Sequence, residues 1–331
     1  MQKIIKIITE GGQNFGFGHV VRCKALCDAF LALGHNSELI IQGDDSLLSI
    51  LDNHHVFCNW HNSLEEISLY CQNADICIID SYHASLEYYN AISNVVKVFA
   101  FFDDTYRLNY QFGVLLNGSF HVSEEQYPQI QLKTLLGIDY QCIRKEFWNQ
   151  KPREISKVIT KVVITVGGND VRNLIPQLLH NVQKTYPDSK IAIIIGATSP
   201  NIETLYKIQN NKISLHINAN VDDVIRLMQE ADLAISASGQ TLCELACCGL
   251  PSISVSVIDN QFEHAKAWHN DGCFDFAGSW DESGFWEQFT ILLQKYSQAS
   301  FRYERSLKIQ SIIDGKGAIR VASYLLKQIP N

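Results

Sequence analysis

The chain reads as two doubly wound α/β domains, each built on a parallel sheet with helices on both faces. Three observations predict this. Apolar, strand-like runs alternate with helical stretches through two successive series. A polar, proline-bearing stretch from Asn149 to Lys157 separates the two series. The first strand also runs into a glycine loop that opens a helix, the order a nucleotide-binding unit requires.

The elements follow in order. In the first domain, residues 1–150, the apolar run Ile4-Ile5-Lys6-Ile7-Ile8 begins a buried strand over Ile4 to Thr9. His19 to Leu33 carries apolar residues at helical spacing, and Glu38 to Ile41, Ile76 to Ile79 and Val95 to Phe101 read as further buried strands. In the second domain, residues 151–331, strands are expected at Lys161 to Val166, Lys190 to Ile195, Ile213 to His216, Ala234 to Ser236 and Ser252 to Val257. Helices are expected at Leu174 to Tyr186, Val221 to Glu230, Gln240 to Cys248 and Phe262 to Asn270. Gly249-Leu250-Pro251 ends one helix and launches the next strand. A last helix near Ala318 to Gln328 suits packing on either domain.

At 331 residues and 46% apolar, the chain is long enough for two cores of its own. A net charge of −8, with scattered cations, leaves no basic footprint for nucleic acid. No apolar run is long enough to span a bilayer and the N-terminus does not read as a secretory signal, so a cytoplasmic protein is expected. Oligomeric state is not legible. The ten cysteines include no C-x-x-C pair; Cys23 and Cys27, like Cys243 and Cys247, sit four apart on expected helices, as small packing residues in a reducing compartment would. No Asp-x-Asp pair occurs, adjacent pairs such as Asp103-Asp104 and Asp222-Asp223 alternate wrongly, and the histidines show no H-E-x-x-H spacing. A site without metal or cofactor is therefore expected.

Chemistry concentrates at strand ends. Gly16-Phe17-Gly18-His19, with Arg22 one turn on, joins a glycine loop to an ionisable imidazole at a helix start. Two readings stay open there: a ligand loop, or a tight turn with a surface histidine. It is no dinucleotide fingerprint, because Val21 stands where the third glycine belongs. After later strands come Asp80-Ser81-Tyr82-His83, Gly167-Gly168-Asn169-Asp170 and Ser238-Gly239-Gln240-Thr241. The last precedes Glu244, and together they suit a nucleoside diphosphate: amides and hydroxyls for the phosphates, a carboxylate for the ribose hydroxyls. An ordinary N-cap with a dipole-favoured glutamate fits the same residues.

These residues, taken together, resemble a known family. Gly16-Phe17-Gly18-His19-x-x-Arg22, Asp80-Ser81-Tyr82, Phe102-Asp103-Asp104, Gly137-Ile138-Asp139-Tyr140 with Arg144-Lys145-Glu146-Phe147, Gly167-Gly168-Asn169-Asp170, and Ala231-Asp232-Leu233-Ala234 through Asp259-Asn260-Gln261 recur in that order in the UDP-sugar hydrolases of pseudaminic acid biosynthesis and their spore-coat-polysaccharide relatives. That family is similar in its C-terminal half to the UDP-GlcNAc transferase of peptidoglycan synthesis.

The resemblance implies a GT-B fold, with two Rossmann-like domains facing a central cleft, UDP on the C-terminal side and the sugar on the N-terminal side. It implies inverting hydrolysis of UDP-2,4-diacetamido-2,4,6-trideoxy-β-L-altropyranose or a close relative by water attack at the anomeric carbon. In the catalytic positions it places His19, Tyr82 and Asn260. Glu244 and Gln261 match nucleotide or diphosphate positions, and Gly16, Gly18, Arg22, Asp80, Gly167, Gly168, Asn169, Val221, Ser238, Gly239, Gln240 and Thr241 complete the candidate substrate-binding set. Gln240 stands where relatives often carry a small hydroxyl residue, and Cys243 where many carry tryptophan or asparagine. With UDP a good leaving group, a neutral His19 suits the base that activates water, and a glycosidase-type carboxylate pair is not required. A glycosyltransferase using the same donor site and a non-catalytic UDP-sugar-binding subunit are the alternative readings.

Overall fold

The computed structural model describes residues 2–13, 15–48, 50–51, 55–120, 122–127, 132–197, 199–258 and 261–330. It divides into two units, one formed by residues 1–148 with 315–331 and the other by 149–314.

The first unit holds strands β1 (Ile5–Glu10), β2 (Ser37–Gln42), β3 (His55–Phe57), β4 (Ile76–Asp80), β5 (Val98–Phe102), β6 (Val114–Asn117) and β7 (Lys133–Leu136). They form one sheet in the order β3-β2-β1-β4-β5-β6-β7, with every pair parallel. Parallel strands buried on both faces need apolar residues at successive positions, and β1 and β4 supply them as isoleucine runs. Ile7 faces a core shared with helices α1 (Gly18–Ala32) and, later in the chain, α11 (Gly317–Lys327). Its neighbour Ile8 faces the opposite core, under α2 (Leu64–Cys71) and α3 (Leu86–Ser93).

The last helix packs on the first unit. Ala318, Val321, Ala322 and Leu325 form a helical stripe buried beside α1, each large aliphatic contributing about 1.5–3 kcal/mol of burial. A Cβ on Gly317 would lie 2.2 Å from the Gln141 carbonyl oxygen, so only glycine allows this approach. Arg320 donates to the Asp139 carbonyl at 3.0 Å and Lys133 to Gln328 at 2.7 Å, fixing the helix along its length.

The second unit holds β8 (Lys161–Thr165), β9 (Lys190–Ile195), β10 (Ile213–Ile217), β11 (Leu233–Ala237), β12 (Ser252–Ser256) and β13 (Asp275–Ser279). Its parallel sheet runs β10-β9-β8-β11-β12-β13. Helices α4 (Ile175–Thr185), α5 (Ile202–Ile208), α6 (Val221–Glu230), α7 (Thr241–Cys247), α8 (Phe262–Asn270), α9 (Phe285–Tyr296) and α10 (Ala299–Ile312) belong to it. In each unit the strand order reverses direction at one place, between β1 and β4 and between β8 and β11. Ligands of open α/β sheets bind at the carboxyl ends of such strands.

The structure adds strands that the sequence reading does not anticipate. β3, β6 and β7 are three or four residues long, too short to show a period. β13, Asp275 to Ser279, contains aspartate, glycine and serine, all poor strand formers. All ten cysteines are free thiols, eight of them buried, as expected of packing residues. Among the described residues no helix is long and apolar enough to cross a membrane.

Candidate active site

At the switch point of the first sheet, β1 ends at Glu10 and the chain turns through Gly11 and Gly12. Gly12 has φ +119° and lies against Asp44, where a Cβ would sit 2.3 Å from a carboxylate oxygen. Gly12 and Gly16 exchange two backbone hydrogen bonds, of 2.9 and 2.8 Å, that close the loop. Gly16 has φ +80°, and α1 starts at Gly18.

His19, Arg22 and Cys23 then fall on one helix face by their i, i+3, i+4 spacing. All three meet Asp80, the last residue of β4. His19 Nδ1 lies 2.6 Å from Asp80 Oδ1. Arg22 grips the same carboxylate as a fork, Nε to Oδ2 at 2.5 Å and Nη2 to Oδ1 at 2.6 Å. Cys23 donates to Oδ2 at 3.5 Å. Arg22 Nη1 also bonds Asp104, whose carboxylate accepts from the Tyr82 hydroxyl at 3.4 Å. The Tyr82 ring stands edge-on to His19, with centroids 4.4 Å apart, and the Arg22 guanidinium lies 4.4 Å above the Phe102 ring.

The electrostatics follow from these contacts. Burial opposes ionisation of Asp80, but the charges and hydrogen bonds of Arg22 and His19 outweigh it and hold the carboxyl below its ordinary range. Burial likewise works against the Arg22 cation, yet Asp104 and Asp80 keep it charged. Burial and the Asp104 charge push the Tyr82 phenol up, so near neutral pH it is a hydrogen-bond donor, not a base. An ionised Asp80 can only accept, so His19 presents Nδ1–H to it; in the neutral ring Nε2 is then left as the proton acceptor. The product is an oriented aspartate–histidine pair of the kind that generates a general base.

In the second unit the candidate residues cluster after β8 and β11, which are paired neighbours. Gly167 (φ +98°), Gly168 and Asn169 are exposed in the loop after β8. Asp170 turns inward and caps α4, accepting from the Leu174 and Ile175 amides at 2.8 and 2.9 Å. After β11, Gly239 lies beside Gln261, whose amide nitrogen would be 3.8 Å from a Gly239 Cβ. Gln240 and Thr241 are half-buried and Glu244 is buried in α7. Gln261 accepts from the Val257 amide at 3.1 Å. Val221 begins α6, after the edge strand β10, and stands apart from this cluster.

Ser238 departs from the expected arrangement. It is 1% exposed, and its hydroxyl donates to the Val255 carbonyl at 2.9 Å. Its carbonyl meets His264 Nδ1 at 3.0 Å, so Ser238 anchors the loop from inside instead of offering a hydroxyl outward. Asn260 lies outside the described residues. Two participants are not among the candidate site residues: Glu10, a lone acid ending an apolar strand, and Asp104, which the sequence offers only as an unsuitable metal pair with Asp103 and as part of the Phe102-Asp103-Asp104 motif.

Residues 161–274 match the family described as the glycosyltransferase family 28 C-terminal domain. The chain is 24% identical over 343 residues to the spore coat polysaccharide biosynthesis protein SpsG of Bacillus subtilis, covering 97% of each chain. It is 24% identical over 237 residues to the UDP-2,4-diacetamido-2,4,6-trideoxy-beta-L-altropyranose hydrolase of Campylobacter jejuni, covering 70% of this chain and 83% of that protein. Among solved structures, MurG of Acinetobacter baumannii superposes with a TM-score of 0.65 at 14% identity over 98% of this chain and 99% of that one. The chain is thus similar in sequence to the SpsG and altropyranose-hydrolase proteins, and its two Rossmann-like units have the GT-B glycosyltransferase fold.

Proposed function

We propose that this protein is a UDP-sugar enzyme, and specifically an inverting, metal-independent hydrolase. Its substrate is UDP-2,4-diacetamido-2,4,6-trideoxy-β-L-altropyranose or a close relative, and its products are UDP and the free sugar for nonulosonic acid synthesis. The observation that carries this reading is the Asp80–His19 pair, at 2.6 Å, set at the start of α1 beside Arg22 and Tyr82. The similarity to a named hydrolase of this class supports the choice of substrate.

The chemistry runs as a single displacement. His19 Nε2 takes a proton from water as the oxygen bonds to the anomeric carbon. The C–O bond to the diphosphate breaks, its electron pair goes to the phosphate oxygen, and the anomeric centre inverts. Asp80 keeps His19 in the required tautomer and stabilises the imidazolium that forms. The loops after β8 and β11, with Glu244 and Gln261, hold the nucleoside diphosphate.

The family 28 match favours a second reading, in which a sugar acceptor replaces water. The two are separated by assaying UDP release from diacetamido-sugar donors without acceptor. Hydrolysis proceeds at full rate; transfer stalls until an alcohol acceptor is added. Under the hydrolase reading, excess EDTA leaves the rate unchanged, and a loss of activity restored by a divalent ion would refute metal independence.

The glycines make a separate test. A Cβ on Gly168 meets nothing within 4 Å, whereas one on Gly196 would lie 2.4 Å from the Gly168 carbonyl oxygen. Packing therefore dictates glycine at 196 but not at 168. Gly168→Ala is expected to leave stability within about 0.5 kcal/mol and to weaken UDP binding measured by calorimetry about tenfold or more. Unchanged affinity would remove this loop from the donor site.

A further inference from the structure

The first unit buries a second carboxylate at its switch point, one that the displacement does not use. Glu10 is 1% exposed, and both its oxygens are filled. Oε1 accepts from the Tyr82 amide at 2.7 Å and from His83 Nδ1 at 2.8 Å. Oε2 accepts from the Ser81 hydroxyl at 2.5 Å and from His61 Nε2 at 2.9 Å. Ser81 Oγ itself accepts from the His83 and Ala84 amides, each at 2.9 Å, so its own proton is directed to Glu10. The two imidazoles in turn carry Phe15, whose ring meets them edge-on at centroid distances of 5.6 and 5.2 Å. Phe15 belongs to the closed Gly12–Gly16 loop that delivers His19.

We propose that Glu10 is a positioning residue that holds both loops of the reaction centre. One branch runs through Ser81 and the Tyr82 backbone, the other through His61 and His83 to Phe15 and the loop before His19. The proposal rests on the hydrolase reading for its kinetic consequence only. Arg107 reinforces the first branch, donating to the Ser81 carbonyl at 3.3 Å. Burial favours the protonated acid at Glu10, but the bonds from Ser81, His83 and Tyr82 hold its carboxyl below the ordinary value. An ionised, acceptor-only Glu10 demands an N–H from each ring, so the neutral imidazoles take the Nδ1–H form at His83 and the Nε2–H form at His61.

Glu10→Gln tests this atom by atom. Its carbonyl can still serve Tyr82 and His83, while its amide nitrogen faces Ser81, whose oxygen already accepts from two amides, and His61, which can accept only by changing tautomer. Nitrogen-15 spectra of the histidines are expected to show the stated tautomers in the wild type and inversion at His61 alone in the variant. Kinetically, kcat is expected to fall about 10- to 100-fold, with KM changed by no more than about twofold. Phe15→Ala is expected to lower kcat as well, and the double variant to lose less than the product of the two single losses. Opposite tautomers in the wild type, or a folded Glu10→Gln protein with wild-type kcat, would overturn the proposal. If the wild type releases no UDP from any donor, the hydrolase reading falls by itself, and the wild-type tautomers still decide the role of Glu10.

Discussion

His19→Ala is expected to lower the rate of UDP release by about 10²- to 10⁴-fold, the range a positioned general base supplies. His19 is 8% exposed and bonded to Asp80, so its removal also leaves one oxygen of that carboxylate with one partner fewer. The remaining Arg22 fork keeps Asp80 ionised and paired, and the fold persists. KM for the donor is expected to move little, because His19 is not among the residues proposed to hold the diphosphate. Initial rates with a thermal melt of the same sample check both statements, and wild-type turnover in the variant would dismiss His19 as the base.

Asp80→Asn is expected to combine a comparable kinetic loss with the largest loss of stability. An asparagine can present an N–H to His19 Nδ1, which selects the opposite tautomer and puts a proton on the nitrogen that must accept one; a loss on the order of 10⁴-fold in kcat is the scale for that error in other aspartate–histidine pairs. Arg22, half-buried and now held mainly by Asp104, loses its forked partner. Breaking a buried pair from one side costs about 3–5 kcal/mol. The sign of the pH dependence follows from the depressed carboxyl. Asp80's contribution is fully present above its unfolded pKa of about 3.9 and is lost as pH falls below that through the folded value. Wild-type stability should therefore drop on the acid side more steeply than that of Asp80→Asn, as melts between roughly pH 6 and 3 would show. Parallel acid slopes in the two proteins would mean that Asp80 is not ionised in the fold.

Much of this architecture is legible in one dimension, for a physical reason. Parallel strands buried on both faces must be continuously apolar, so the isoleucine runs of β1, β4 and β9 announce themselves. The edge strands β3 and β7, and β6 beside β7, need only a few residues and leave no period. The helix face of His19, Arg22 and Cys23 is a matter of spacing. Its partner is not: Asp80 is 58 residues from Arg22 and Asp104 is 82, separations that only the sheet order closes. Ser238 shows the converse failure. Its type and place at a strand end suggest a phosphate-facing hydroxyl, but the amide and hydroxyl are both needed to satisfy the Val255 carbonyl inside. Glu10 is not legible because a single acid has no motif; its meaning comes from the four donors that converge on it.

In the proposed displacement, water activated by His19 expels UDP from the anomeric carbon. The most direct test is turnover of a UDP-diacetamido-trideoxyhexose in oxygen-18 water, without acceptor or metal, with the position of the label and the anomeric configuration of the sugar read together. Label is expected on the anomeric carbon of a sugar released with inverted configuration, and none in UDP. Label in the UDP phosphate, retained configuration, or no turnover until an alcohol acceptor is supplied would contradict it.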